Sequence, residues 1–397
     1  MVSKRTGRTS IRRIGVAAAA ALLSLAGTAW LTRAVLGTLP ERDLARTYVS
    51  APADRAAVVG KAPDAADRLR RNPTDPDAFN LVYVAIARRD GVESATAQRA
   101  AAVLGRYGWR STAAQQNLIE AAAYREDYPA VLDRTDALLR RNKLRPQMAQ
   151  VLAVLEKDPG QQPRVVSRLL GHPNWRQDYL WRIGTTNDRA LLDARMGTLL
   201  ALLDRGDTLS REELSRSLQA LIAADRQVQA NQLWRRAGGR SRTGNLLYDP
   251  RFEVVQREGA RPAFGIPYEW SLQSGAGYSA GLRGGTWPLQ IDWVGATAGL
   301  PIFLRQVVAL DAPARGFVLR VGAESPEQVR DNLVFTLGCG AEEAAFALRE
   351  IRGHELTYTL TVGVPACLAP AFAMVGHPEG RGADALRLSD FRLTALR

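Results

Sequence analysis

The spacing of apolar residues changes character across residues 238–244, from the helical period to the alternation of strands. A helix buries a stripe at 3.6 residues per turn and a strand buries every second side chain. The change therefore predicts two unlike halves, α-helices first and a β-sheet domain after them. The hinge of this division, Gly238-Gly239-Arg240-Ser241-Arg242-Thr243-Gly244, has the Gly/Ser texture of a linker. The expected boundaries are 1–40 for a basic stub and anchor helix, 41–237 for helices, 238–244 for the linker and 245–397 for the β half.

In the helical half, short breaks separate Ala/Leu/Arg-rich runs. Asn72-Pro73-Thr74-Asp75-Pro76 breaks one run, and Phe79, Val82, Tyr83 and Ile86 then form an apolar stripe at 3/4 spacing. Leu118 to Tyr124 predicts a second stripe, and Val131, Leu132, Leu138 and Leu139 a third. Ser210-Arg211-Glu212-Glu213 is a capping box, with Ser210 as N-cap and Glu213 reaching back to it, for a helix ending near Ala224. Paired helices with short breaks predict a solenoid of helical hairpins.

In the β half, Leu289-Gln290-Ile291-Asp292-Trp293-Val294 alternates with period two. Segments 317–321, 333–337, 356–362 and 386–393 are further strand candidates, which predicts an antiparallel sandwich or jelly roll. Both cysteines, Cys339 and Cys367, lie here. One disulfide is expected in an exported chain, with two buried thiols as the alternative.

The N-terminus implies export. Lys4, Arg5, Arg8, Arg12 and Arg13 precede an uncharged stretch of 19 residues, Ile14 to Thr32. The basic flank should stay cytoplasmic, giving a single-pass inner-membrane anchor with the bulk of the chain periplasmic. A signal cleaved near Gly27-Thr28-Ala29, releasing a soluble periplasmic protein, is the alternative. The net charge of +13 divides into about +6 over 1–50, +9 over 51–244 and −2 over 245–397. Scattered solvated arginines on helices account for it, and no nucleic-acid motif accompanies it.

Two resemblances extend this reading. Ala121-Ala122-Ala123-Tyr124-Arg125-Glu126-Asp127-Tyr128-Pro129-Ala130-Val131 resembles the centre of a tetratricopeptide repeat, although the full signature does not recur at a regular period. The resemblance implies a scaffold with a binding face for partner proteins. Asn245-Leu246-Leu247-Tyr248-Asp249-Pro250-Arg251-Phe252-Glu253 is similar to the first strand of jelly-roll carbohydrate-binding modules, and Ser389-Asp390-Phe391-Arg392-Leu393 to their last. That family implies neighbouring first and last strands, with a structural calcium ion for which Glu253 and Asp390 are the matching positions. Here Asp249-Pro250 replaces the Asn-Gly of the family's pattern, and calcium requires six to eight oxygen ligands. The whole arrangement resembles repeat proteins associated with bacterial exopolysaccharide assembly.

Tyr268, Trp270, Tyr278, Trp287 and Trp293 are the candidate sugar-stacking residues, since sugar rings lay their C–H faces on flat aromatics. A core role for Trp270 and Trp293 is the competing reading. No catalytic constellation emerges. His172, His354 and His377 lack trustworthy partners, Gly281-Leu282-Arg283-Gly284-Gly285 is not a phosphate loop, and Glu342-Glu343 fits solvated turn charges. The expected function is therefore a non-enzymatic, membrane-anchored periplasmic scaffold. It would bind envelope proteins through the helices and polysaccharide through the sandwich, without nucleic acid and with no cofactor beyond the calcium in question. A purely structural interaction protein and a carbohydrate-active enzyme are the alternatives.

Overall fold

The computed structural model describes residues 62–185, 188–239, 244–258, 265–294, 300–363, 366–380 and 382–396. The anchor predicted over Ile14 to Thr32 and most of the 238–244 linker lie outside them. No described helix is long and apolar enough to cross a membrane. The chain divides into two compact units, one through Trp175 and one from Arg176.

The first unit is α-helical: α1 (Ala62–Arg71), α2 (Pro76–Asp90), α3 (Ala95–Tyr107), a 3-10 turn (Gly108–Arg110), α4 (Thr112–Tyr124), α5 (Tyr128–Arg140), α6 (Arg145–Lys157) and α7 (Gln162–Leu170). Side-chain caps set most of the starts. Asp75, Ser94, Ser111 and Asp127 each accept from backbone N–H groups in the first turn of α2, α3, α4 and α5. Pro76, Pro129, Pro146 and Pro163 occupy first-turn positions, where a missing N–H costs nothing. The stripe on α5 is buried as its spacing predicts, with Val131, Leu132, Leu138 and Leu139 all in the core. Helix α2 departs from its predicted stripe: Leu81, Val84 and Ala85 are buried along with Tyr83. It is flanked by α1 and α3 and also meets α4, so it needs more than one apolar face.

Hydrogen bonds link successive hairpins at a recurring separation. Ser111 Oγ donates to Asp77 at 2.9 Å across 34 residues, and Asn117 Nδ2 to Asn80 at 2.7 Å across 37. Asn174 Nδ2 donates to the Arg140 carbonyl across 34 residues, and Trp175 Nε1 to Asp136 at 2.7 Å across 39. A near-constant offset is the mark of one structural repeat stacked on the next. The repeat is thus present in contacts although the sequence shows no regular signature.

The second unit opens with α8 (Arg176–Trp181), α9 (Arg189–Asp204), α10 (Arg211–Ala223) and α11 (Gln227–Arg236). The Ser210/Glu213 capping box is formed in both directions, at 3.2 and 2.9 Å. Glu213 also receives the buried Arg176 guanidinium at 2.9 Å, which reaches Asp207 at 2.6 Å.

After α12 (Glu253–Glu258) come two antiparallel sheets. The strands are β1 (Ser271–Leu272), β2 (Ser274–Gly275), β3 (Tyr278–Leu282), β4 (Leu289–Trp293), β5 (Ile302–Val307), β6 (Gly316–Ala323), β7 (Leu333–Cys339), β8 (Glu342–Ala345), β9 (Ala347–Arg352), β10 (Glu355–Leu360), β11 (Ala371–Gly376) and β12 (Ala383–Leu396), with α13 (Pro326–Asn332) before β7. One sheet has the order β1-β5-β11-β7-β8 and the other β2-β3-β4-β12-β6-β10-β9. Leu289, Ile291 and Trp293 of β4 point inward, as their alternation predicts. Between the sheets Phe252, Trp270, Phe335, Phe372 and Phe391 pack mostly edge to face, with centroids 5.2 to 6.4 Å apart. Cys339 and Cys367 lie at disulfide distance with Cα atoms 6.3 Å apart, as expected of the pair.

Residues 245–247 run beside β12. Leu246 N–H donates to the Leu393 carbonyl at 2.9 Å, and Asn245 bonds both Phe391 and Leu393. The two ends of the β half are thus neighbours.

Helices α10 and α11 are built onto the sandwich. Asn231 is buried and spends its side chain there. Its Nδ2 donates to the Leu310 and Leu368 carbonyls, both at 2.9 Å, while Oδ1 accepts from Tyr268 Oη at 2.6 Å. Trp234 stacks on Tyr268 with centroids 5.4 Å apart and meets the edge of Tyr248. Gln227 accepts from Leu368 N–H at 2.6 Å, Ser215 donates to the Gly265 carbonyl at 2.9 Å, and Arg211 pairs with Glu269. Gly239 follows α11 where any Cβ would enter the Trp234 indole.

Candidate binding surfaces

The five aromatic candidates separate by burial. Tyr268, Trp270 and Trp293 are exposed by only 1%, 6% and 2%. Tyr268 belongs to the α11 contact, Trp270 donates its Nε1–H to the Asp249 carbonyl at 2.8 Å inside the core, and Trp293 packs on Phe303. None of the three presents a ring face to solvent, so the sugar-stacking expectation is corrected for them: an aromatic that fills the space between packed elements cannot also hold a ligand. Tyr278 is half-buried, with its ring edge-on to Phe303. Trp287 is half-buried and lies on the outer side of the seven-stranded sheet.

The two positions matched to a structural calcium ion carry partners of their own. Asp390 is exposed and ion-paired to Arg251 at 2.7 Å. Glu253 opens α12, whose N–H groups at Val254 and Val255 are capped by Asp249 at 2.9 and 3.1 Å. Asp249 takes the left-handed conformation, φ 50°, at the position where the family's pattern has Asn. Burial pushes its carboxyl upward, against those N–H groups. Among the described residues no group of three or more His, Cys, Asp or Glu side chains could hold a metal ion.

The other residues considered for chemistry are dispersed. Glu342 and Glu343 are exposed on β8, and Glu343 accepts from Thr336. Residues 283–288 join β3 to β4, so the glycines at 284 and 285 serve a turn between strands. A shallow depression of about 480 Å³ is lined by Val255, Gln256, Leu272, Ala280, Leu282 and Arg283. Among the described residues Arg283 is the one ionisable side chain of its lining.

A surface not evident from the sequence lies on the helical unit. The turns that pass from one hairpin to the next, around 105–111, 140–145 and 171–174, contain no acidic residue. The turns inside the hairpins do, with Asp90, Glu93, Glu126, Asp127 and Asp158. The inter-hairpin edge exposes Arg106, Arg110, Arg140, Arg141 and Lys143 beside Tyr107 and Trp109, which are 44% and 46% exposed. Arg141 ties this edge together by donating to the Trp109 and Arg110 carbonyls at 2.9 and 2.7 Å. Arg134 sits over the Trp109 ring, 5.0 Å from its centroid. The available signal was the alternation of acid-free and acid-bearing turns, which becomes visible once the hairpins are paired.

No protein-family model matches this chain, and no curated protein matches it.

Proposed function

We propose that this chain is a non-enzymatic scaffold of the bacterial envelope, anchored by its N-terminal segment, with tetratricopeptide-like hairpins that dock partner proteins and a jelly-roll-like sandwich that contacts polysaccharide. The observation that carries the reading is the contact of α10 and α11 with the sandwich. The last hairpin is bonded to the β half by Asn231, Gln227, Ser215 and Tyr268 rather than tethered beside it. Within the second unit, a helical hairpin packed onto a sheet domain suits an adaptor that carries two kinds of attachment surface. Exposed Tyr107 and Trp109 among arginines support docking on the helical edge, because Trp, Tyr and Arg dominate interface energetics. The link to exopolysaccharide assembly rests on resemblance at the level of architecture.

Two measurements test it. Photocrosslinking in envelopes from a probe placed at position 109 should trap one discrete protein. Co-sedimentation of the full chain, in detergent, with acidic and neutral polysaccharides should show binding to a glycan. Silence in both would refute the scaffold reading. Hydrolysis of a glycan that is lost on substituting one Asp or Glu would replace it with the enzymatic alternative.

A further inference from the structure

On the outer face of the seven-stranded sheet two arginines leave the backbone directly opposite each other. Arg320 of β6 and Arg392 of β12 are register partners, and each is exposed while its neighbours in sequence are buried. Their stems are therefore on one face and about 5 Å apart. Like charges in this position repel, and among the described residues neither arginine has an ion-pair partner. Nothing in the fold's own packing calls for the pair.

Trp287 lies one step along the same face. Gly322 follows Arg320 by two residues on β6 and is opposite Ser389 of β12. A Cβ built on Gly322 would stand 3.2 Å from Trp287 Cζ3 and 2.8 Å from Ser389 Oγ. The indole thus reaches over the sheet at Gly322, where a Cβ would crowd Cζ3 and the Ser389 hydroxyl. His354 flanks the ring, its centroid 5.6 Å away, and is held by the Ala323 carbonyl at 3.1 Å. Two residues of strand separate Gly322 from Arg320, roughly 6.6 Å. That is close to the span of one sugar residue. Glu355, opposite Gly322, makes no ion pair with either arginine among the described residues.

We infer that Trp287, Arg320 and Arg392 form a subsite for an acidic sugar, a uronate unit within a polysaccharide. The half-buried indole, braced from below and from the side, takes the C–H face of a ring. The paired guanidiniums take the carboxylate, whose charge relieves their mutual repulsion. An acidic peptide would satisfy the arginines but has no saturated ring to set on the indole. The inference rests on the glycan arm of the proposed function and gives it a place and a substrate class.

The test uses the full chain in detergent and titrates it with an oligogalacturonate, a neutral dextran oligomer and a poly-glutamate of matched charge. Wild type binds the uronate in preference to both controls. Arg392→Gln and Trp287→Ala each weaken uronate binding by about fivefold or more, the loss of one charge-assisted or stacking contact. Arg320→Glu sets opposite charges across the strands, so it abolishes uronate binding while its thermal midpoint stays level or rises. That pairing of outcomes separates a lost site from a damaged fold. Uronate binding that is unchanged in Arg320→Glu and Arg392→Gln would overturn the subsite and leave the glycan reading standing. Equal binding of poly-glutamate would reduce the pair to general electrostatics and overturn the sugar. No binding of any oligomer by wild type would overturn both.

Discussion

Replacing Asn231 should show how much the helices and the sandwich depend on each other. Asn231→Leu keeps the side chain's size and removes its two donors and its acceptor. Leu368 O also accepts from Leu310 N–H at 2.9 Å, so it keeps one partner. Leu310 O and Tyr268 Oη lose the partner that Asn231 gives them. A buried polar group stripped of its partner costs about 1–3 kcal/mol, so two cost about 2–6 kcal/mol. The added apolar burial returns about 1 kcal/mol, leaving a net loss of about 3 kcal/mol. Tyr268→Phe leaves Asn231 Oδ1 bare and should cost about 1–2 kcal/mol. The two changes share one hydrogen bond, so their effects should be non-additive by about 1 kcal/mol. Urea titration followed by tryptophan fluorescence reads these losses as a midpoint shift of about 1 M for Asn231→Leu. A change below about 0.5 kcal/mol would refute the reasoning. So would a transition in which α10 and α11 melt while the sandwich stays intact.

Other predictions follow from buried charge, phenol burial and crosslinking. Arg176→Met removes the guanidinium shared by the buried carboxylates Asp207 and Glu213 and should lower stability by about 3–5 kcal/mol in thermal unfolding. Burial pushes the Tyr83 phenol from 10.0 up to about 12, and Tyr268 and Tyr358 shift the same way. A folded-state pKa above the unfolded one holds the proton better in the native state. The stability contributed by Tyr83, about 2–3 kcal/mol, is therefore complete below pH 10 and lost as pH rises toward 12. Urea midpoints that stay constant from pH 9 to about 12 would contradict it. Reducing the Cys339–Cys367 bridge, which spans 28 residues, should cost about 3–4 kcal/mol by the loop-entropy account. Comparing urea midpoints with and without dithiothreitol measures it.

What the sequence shows and hides follows from how far each signal reaches. The Ser210/Glu213 box, the α5 stripe and the β4 alternation each lie within a few neighbouring residues, and all three are legible in the amino-acid order alone. The burial of Leu81 and Val84 is not, because it depends on which helices flank α2. The repeat escapes the sequence for a related reason. It is carried by hydrogen bonds such as Ser111 to Asp77 and Asn174 to Arg140, between residues that need not resemble each other. Aromatic residues state their chemistry but not their direction. Trp293 could be assigned inward from its strand period, whereas Tyr268 and Trp270 stand at irregular positions where no period applies. The Arg320/Arg392 pair depends on the register of β6 against β12, which joins distant parts of the chain across a bulge. Nothing local in the sequence encodes that pairing.

The central structural claim is that the sandwich is completed by the helices before it. Two fragments test it directly, residues 176–397 and residues 245–397, each followed by calorimetry. The longer fragment keeps Asn231, Gln227 and Trp234 against Tyr268, Leu310 and Leu368, and should unfold in one cooperative transition. The shorter one exposes Tyr268 and leaves the Leu310 carbonyl without its Asn231 donor, and should unfold at a clearly lower temperature or fail to fold. Equal midpoints for the two fragments would show that the sandwich stands alone and would contradict the account.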